Sequence, residues 1–141
     1  MTGFSRIVLT LIVSIFGTMG AHSAAAASPV GLWQVTSFQE PGLVVIGSRK
    51  LCFRANGTFG EPMPNPNEFF SGFWFKKGDR IRFVGTQILT VDLGFQGRTA
   101  NFGQFINSDR FAGEFLNLVI HSSGSSTQPG NFIARRLEAP C

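Results

Sequence analysis

The sequence contains no tyrosine and few of the residues from which catalytic sites are built. Among its 141 residues are two histidines and two cysteines, and charged residues make up 14% of the chain. A structural or catalytic metal needs several His, Cys or carboxylate ligands, so this supply predicts no metal site. No glycine-rich loop leads from a strand into a helix, which argues against nucleotide chemistry. The composition therefore favours a non-enzymatic protein without a cofactor.

The remaining candidates for catalysis are isolated. His121 ends a predicted strand next to a polar loop, so we interpret it as a solvated side chain, because a neighbouring serine does not make a triad. A glycosidase would need two carboxylates, and the candidates are Asp92, Asp109 and Glu114. We expect Asp92 on an outer face, Asp109 in a turn and Glu114 pointing outward. The alternative for Glu114 is a buried carboxylate paired with an arginine.

The N-terminus has the features of a secretory signal peptide. Arg6 precedes an apolar run over residues 7–19, and four alanines at 24–27 offer a cleavage site before Ser28. A membrane anchor is the alternative, but the run is shorter than the roughly 20 residues of a spanning helix. We therefore predict a signal peptide over residues 1–27 and a secreted or periplasmic domain over 28–141, with no transmembrane span after cleavage.

Cys52 and Cys141 are the two cysteines, and both lie in the predicted mature domain. An even pair in an exported chain predicts one disulfide. A catalytic or redox cysteine is the alternative, but that role usually involves a CxxC motif or a partner nearby, and neither is present.

Short runs of alternating apolar and polar residues, separated by glycine, proline and asparagine, make up the rest of the chain. They predict β-strands, and helical periodicity is nearly absent. The predicted strands cover residues 30–38, 43–46, 49–55, 58–59, 70–76, 80–84, 87–95, 99–106, 111–121 and 132–137. Turns or loops are expected at 40–42, 56–57, 60–68, 77–79, 96–98, 107–109 and 122–131.

The short connections predict an all-β fold, an up-and-down antiparallel barrel of about eight strands. Closure removes the exposed edges of such a meander. A two-sheet β-sandwich is the alternative. In the hairpin over residues 70–84 we expect Phe73, Phe75, Ile81 and Phe83 to face the interior and Trp74 to lie on the opposite face.

Lys76, Lys77, Arg80 and Arg82 are expected to cluster at the end of this hairpin. One interpretation is a solvated rim that blocks edge-to-edge aggregation. The other is a docking site for an anionic surface or protein partner. The net charge of +4 is too small to indicate nucleic-acid binding.

Gly31-Leu32-Trp33 in the first predicted strand matches the GxW motif with which lipocalin and related calycin barrels begin. In this superfamily a basic residue near the last strand packs over the tryptophan and closes the barrel floor. The resemblance implies that role for Arg135 or Arg136.

A bridge from a mid-chain strand to the C-terminus, as between Cys52 and Cys141, also resembles the lipocalin bridge. The predicted mature chain is shorter than ordinary lipocalins, and no helix precedes its last segment. Residues 107–110 (NSDR) stand in place of the TDY-type motif. The spacing is closest to small lipocalin-like and avidin-like barrels of bacterial exported proteins.

Two functions follow as expectations. The first is a barrel that binds a small apolar or amphipathic ligand in its interior. The second is a protein-interaction module, such as a secreted inhibitor or host-interaction factor, that acts through loops 60–69 and 122–131. The residues expected to contact the ligand are Phe69, Phe73, Phe75, Phe83, Leu89, Val91 and Phe102.

Overall fold

A computed structural model describes residues 27–39, 43–63, 68–89 and 95–141. The predicted signal peptide, apart from Ala27, lies outside this part of the chain, as do the predicted turn at 40–42 and Val91. No helix in the described residues is long and apolar enough to cross a membrane. The strands are β1 (Gly31–Gln39), β2 (Val44–Phe53), β3 (Thr58–Gly60), β4 (Glu68–Lys77), β5 (Arg80–Leu89), β6 (Phe95–Asn107), β7 (Arg110–His121) and β8 (Gly124–Arg136).

The eight strands form a closed antiparallel barrel in which each strand pairs with its neighbours in sequence. Closure takes place between β1 and β8, where Trp33 pairs with Arg136 and Phe38 with Asn131. The predicted up-and-down barrel is therefore confirmed, and the alternative of a two-sheet β-sandwich is wrong. Ala27, one residue before the expected domain start at Ser28, is also buried against the core.

The β4–β5 hairpin turns over the two residues 78–79 and not over the three that were predicted. With the shorter turn, Trp74 pairs with Phe83, and paired residues share a face of the sheet. Trp74 consequently packs inward, whereas Phe73 and Phe75 point outward and are 67% and 53% exposed. The prediction that Phe73 and Phe75 line the interior is wrong.

Phe102 is also outside the barrel, with 49% of its surface exposed, contrary to the prediction. Phe105 occupies the interior beside Trp33, with the ring centroids 5.9 Å apart. Side chains three positions apart on a strand point to opposite faces, so Phe105 inside places Phe102 outside. The predicted turn at 96–98 is wrong as well, because these residues belong to β6 and pair with β5.

The predicted loop at 122–131 is mostly strand. The β7–β8 hairpin turns at residues 122–123, and β8 starts at Gly124, whose φ is 140°. Its polar side chains suggested a loop, but the backbone pairs with β7 from Gly124 onward. A long partner strand supplies these backbone hydrogen bonds whatever side chains the segment carries.

The interior is packed with aromatic rings towards the end of the barrel that Trp33 closes. The largest fully buried side chains there are Trp33, Phe53, Phe59, Phe83, Phe111 and Phe132. Most neighbouring rings meet edge to face, as Phe83 and Phe132 do at 5.4 Å between centroids. This geometry suits the quadrupoles of the rings. Each buried phenylalanine contributes about 1.5–3 kcal/mol of transfer free energy to the stability of this half.

Two pairs of opposed glycines allow neighbouring strands to bend closely past each other. Gly72 faces Gly85 between β4 and β5, and Gly103 faces Gly113 between β6 and β7. A Cβ on Gly72 would overlap the carbonyl oxygen of Val84. The first pair lies beneath a depression in the outer surface that is described below.

Candidate functional site

Arg136 closes the floor of the barrel over Trp33. Its guanidinium carbon lies 4.4 Å from the centroid of the Trp33 ring. Nη1 donates to the carbonyl oxygen of Val30 at 2.8 Å, Nε donates to that of Ser108 at 3.1 Å, and Nη2 donates to that of Ser28. The fork thus binds the segment before β1 and the β6–β7 turn at once. Of the two predicted candidates, Arg136 takes this position and Arg135 is exposed on the outer face.

The floor is desolvated. Trp33 is fully buried, and its Nε1 donates to the carbonyl oxygen of Pro29 at 2.7 Å. Burial lowers the pKa of Arg136 below its ordinary value, and the carboxylate of Asp109, 3.6 Å away, opposes this shift. An arginine side chain is protonated at neutral pH, so Arg136 provides the cation over the indole ring.

The predicted disulfide between Cys52 and Cys141 is present. Cys52 is 1% exposed. Leu137 N, just after β8, donates to the carbonyl oxygen of Leu32 at 2.8 Å. The bridge and this hydrogen bond hold the C-terminal tail against β1 and β2, on the outside of the barrel.

The opposite end of the barrel contains a recess, which we call the polar cup, with a volume of about 310 Å³. Besides Arg98, six of its lining residues carry polar side chains, one from each of six strands. They are Ser37, Arg49, Gln87, Thr99, Asn117 and Gln128. Alternation along the strands places all six on the inner face.

A deeper pocket of about 60 Å³ continues from the polar cup towards the aromatic half. It shares six lining residues with the cup, which are Ser37, Gly47, Arg49, Gln87, Thr99 and Asn117. Its other walls are largely apolar and include Phe70, Phe83, Phe115, Val35 and Leu51. The interior therefore changes from polar near the mouth to apolar below it.

Hydrogen bonds hold the polar side chains in place. Asn101, which lines the deeper pocket, donates from Nδ2 to the carbonyl oxygen of Phe83 and to Thr99 Oγ1, both at 3.1 Å. Nearer the mouth, Asn117 Nδ2 donates to Gln128 Oε1 at 3.5 Å, and Gln128 Nε2 donates to Gln39 Oε1 at 3.2 Å. Within the described residues no buried side-chain nitrogen or oxygen lacks a partner.

Arg49 is the inward-facing charged residue of the cup. Its Nη1 lies 3.0 Å from Glu61 Oε1, and both side chains are largely shielded from solvent, with 24% and 15% exposed. The pair joins β2 to the segment after β3. It places a guanidinium, which can donate several hydrogen bonds in a fixed plane, beside the amides of the cup.

Of the residues predicted to contact a ligand, Phe83 is the one that the structure places inside, where it lines the deeper pocket. Phe73, Phe75 and Phe102 lie outside. Val91 and the side chains of Phe69 and Leu89 fall outside the described part of the structure.

Glu114 points outward and is exposed, as predicted. Several interior polar residues were not predicted as site residues. The inward position of Arg49 could have been found, because alternation along β2 places it on the same face as Leu51. The inward positions of Thr99 in the cup and Asn101 in the deeper pocket could not, because polar residues are normally assigned to the outer face.

The predicted basic cluster is divided between the two faces of the sheet. Lys76 belongs to the inner face, with its Nζ 5.5 Å from the Phe105 ring centroid. Lys77, Arg80 and Arg82 are exposed on the outer face. All four residues lie at the end of the β4–β5 hairpin, as predicted, but they do not share one face, since Lys76 points inward and the other three point outward.

The described residues contain no group of three or more His, Cys, Asp or Glu side chains that could hold a metal ion. Comparisons of the chain with protein-family models, with curated proteins and with solved structures give no match.

Proposed function

We propose that the protein is an exported, non-enzymatic β-barrel that binds a small amphipathic ligand in the polar cup. The supporting observation is the change in lining along the barrel axis. Thr99 and Asn101 are 8% and 6% exposed inside a barrel whose other half is filled with aromatic rings. A ligand with an apolar end and a polar end would match this order of residues.

The polar lining stabilises the barrel less than an apolar lining would. A satisfied buried hydrogen bond contributes a net of about 0.5–1.5 kcal/mol, whereas a fully buried large apolar side chain contributes about 1.5–3 kcal/mol, so selection for stability alone would favour apolar residues here. The cup volume of about 310 Å³ lies at the lower end of the range of small-molecule sites. The ligand is therefore small, with its apolar end towards Phe83 and its polar end towards Asn117 and Arg49.

Export is part of the same proposal. The predicted signal peptide suggests it, and the Cys52–Cys141 disulfide is compatible with an oxidising compartment. The resemblance to small lipocalin-like barrels supports ligand binding in the interior.

Native mass spectrometry of the protein purified from its own host tests the proposal. We expect a population that carries a small additional mass, and we expect Asn117→Leu to lose it because a bulkier apolar side chain would occupy the cup. Gln96→Leu is the matched control, since Gln96 is exposed on the outer face of β6. A chain without additional mass, or one that keeps it equally in both variants, contradicts the proposal.

The second candidate is the protein-interaction module. Most of the predicted contact loop at 122–131 is strand, so that loop does not favour it. A band of exposed apolar side chains on the outer surface of the barrel does favour it.

A further inference from the structure

One row of apolar side chains crosses the outside of the barrel over five consecutive strands. The pairing registers of β4 to β8 place its members directly opposite one another. This outer apolar row consists of Phe73, Val84, Ala100, Leu116 and Pro129. Phe75 and Phe102 lie two positions further along β4 and β6, on the same outer face.

The exposed area is large for a chain of this size. Phe73, Phe75 and Phe102 are 67%, 53% and 49% exposed. Taking about 200 Å² for a fully exposed phenylalanine, these three rings alone present roughly 340 Å² to solvent. Val84 and Leu116 add to it at 43% and 48% exposed. Apolar patches of roughly 300–600 Å² on a monomer are often functional.

The surface is also concave. A groove of about 830 Å³ runs along the row, with Phe73, Val84 and Leu116 in its walls. Gly72 and Gly85 lie in its floor, and side chains at these positions would point inward, towards Phe59 in the case of Gly85. A groove of this kind can receive apolar side chains of a partner, as the anchor pockets of interfaces do.

Arg82 is held between two of the exposed rings. Its guanidinium carbon lies 5.9 Å from the Phe75 ring centroid and 5.4 Å from that of Phe102. Stacking restrains the side chain, so less rotamer freedom is lost when it binds a carboxylate. Aromatic residues and arginine are the types most enriched at protein interfaces.

The charges around the row have one dominant sign. Among the described outward-facing residues of β4 to β7 there is one carboxylate, Glu114, against five cations, which are Lys77, Arg80, Arg82, Arg98 and Arg110. Arg98 and Arg54 line the groove itself. A second copy of this chain docked face to face would bring these cations against one another, which disfavours self-association.

We propose that the outer apolar row is the docking surface for an acidic protein partner. Apolar side chains of the partner fill the groove between Phe73 and Leu116. Its carboxylates pair with Arg82 on one side of the row and with Arg98 on the other. This surface lies on the outer side of the sheet and does not depend on a ligand in the polar cup, although Arg98 and Thr99 line both the groove and the cup.

Phage display tests this proposal without assuming a particular partner. Random peptides are selected for binding to residues 28–141 of the protein, and their sequences show which side chains the surface prefers. We expect the selected peptides to combine Asp or Glu with aromatic or aliphatic residues. Binding of a selected peptide, followed by fluorescence anisotropy, should weaken at least about tenfold in Phe73→Ser and in Arg98→Glu, since each removes one of the two required contacts. It should also weaken as salt rises from about 0.05 to 0.5 M.

Two variants serve as controls. Val44 is also an exposed apolar residue, at 61%, but it lies on β2 away from the row, so Val44→Ser should leave peptide affinity unchanged. Asn117→Leu, in the polar cup, should leave it unchanged as well, which separates this proposal from the proposed ligand site.

Neutral or basic selected peptides, or binding that survives Phe73→Ser, would overturn the proposal. Two further measurements identify the other possible occupants. Self-association in sedimentation velocity that Phe73→Ser abolishes would assign the surface to a second copy. Binding to phosphatidylglycerol vesicles that Phe73→Ser abolishes, without an acidic peptide among the selected clones, would assign it to a lipid surface.

Discussion

Replacing Arg136 by alanine tests how far the barrel floor stabilises the fold. The substitution removes a cation–π contact with Trp33 at 4.4 Å, worth about 0.5–2 kcal/mol. It also leaves the carbonyl oxygens of Val30 and Ser108 without the guanidinium donors that they have at 2.8 and 3.1 Å. Each hydrogen bond to a charged group contributes about 1.5–3 kcal/mol, and water entering the opened floor restores part of this. We expect a loss of about 3–4 kcal/mol in the free energy of unfolding.

Urea denaturation followed by tryptophan fluorescence measures this loss, because Trp33 becomes exposed on unfolding. Arg135→Ala is the matched control, since Arg135 is the adjacent residue and is exposed, and it should change the unfolding free energy by no more than about 0.5 kcal/mol. Arg136→Lys keeps the charge but loses the planar fork, so its loss should be intermediate. Equal losses for Arg135→Ala and Arg136→Ala would refute the reasoning that the floor contacts of Arg136 stabilise the barrel.

Three further outcomes follow from the structure. Replacing Cys52 and Cys141 by alanine should lower the free energy of unfolding by about 4.5 kcal/mol, the loop-closure value for a separation of 89 residues, when compared with the oxidised protein in urea; an unchanged denaturation midpoint would contradict this. Gly72→Ala should lower the free energy of unfolding by at least about 1–3 kcal/mol, because its Cβ would meet the backbone of Val84. Gly47→Ala, whose Cβ would have no atom within 4 Å, should leave stability unchanged; thermal denaturation of both variants compares them. Burial lowers the pKa of Arg136, so the folded state loses the guanidinium proton at a lower pH than the unfolded state does. The contribution of Arg136 to the free energy of unfolding should therefore be constant near neutral pH and rise only in the strongly alkaline range. A contribution that changes between pH 6 and 9, measured against Arg136→Ala, would contradict this.

The number of strands and their closure could be predicted from the sequence, because alternation and turn residues report local backbone geometry. The faces of β5 and β7 were also predictable, since Ile81 and Phe83 are buried and Glu114 is exposed, as expected. The face of β4 was not, because it depends on whether the turn contains two residues or three. One residue of register moves every side chain of a strand to the other face.

The polar cup could not be predicted from alternation alone, since that reasoning assigns apolar residues to the interior. Thr99 and Asn101 are inward because Phe105, further along the same strand, packs against both Trp33 and Phe111 in the floor. Packing at one end of β6 therefore decides which residues face inward at the other. The outer apolar row was equally hidden, because its members come together only through the registers of five strands.

Pairing of β1 with β8 has a consequence for how the protein acquires its fold. Trp33 and Arg136 are separated by about a hundred positions in the chain, yet they are direct partners in the sheet. A nascent chain that has emerged only as far as β7 has no strand with which to close β1 and no cation to cover Trp33. Contacts of such long range form slowly. Until β8 is available, the chain presents two unpaired strand edges and an open aromatic core. A holding chaperone would protect this protein most effectively during that period.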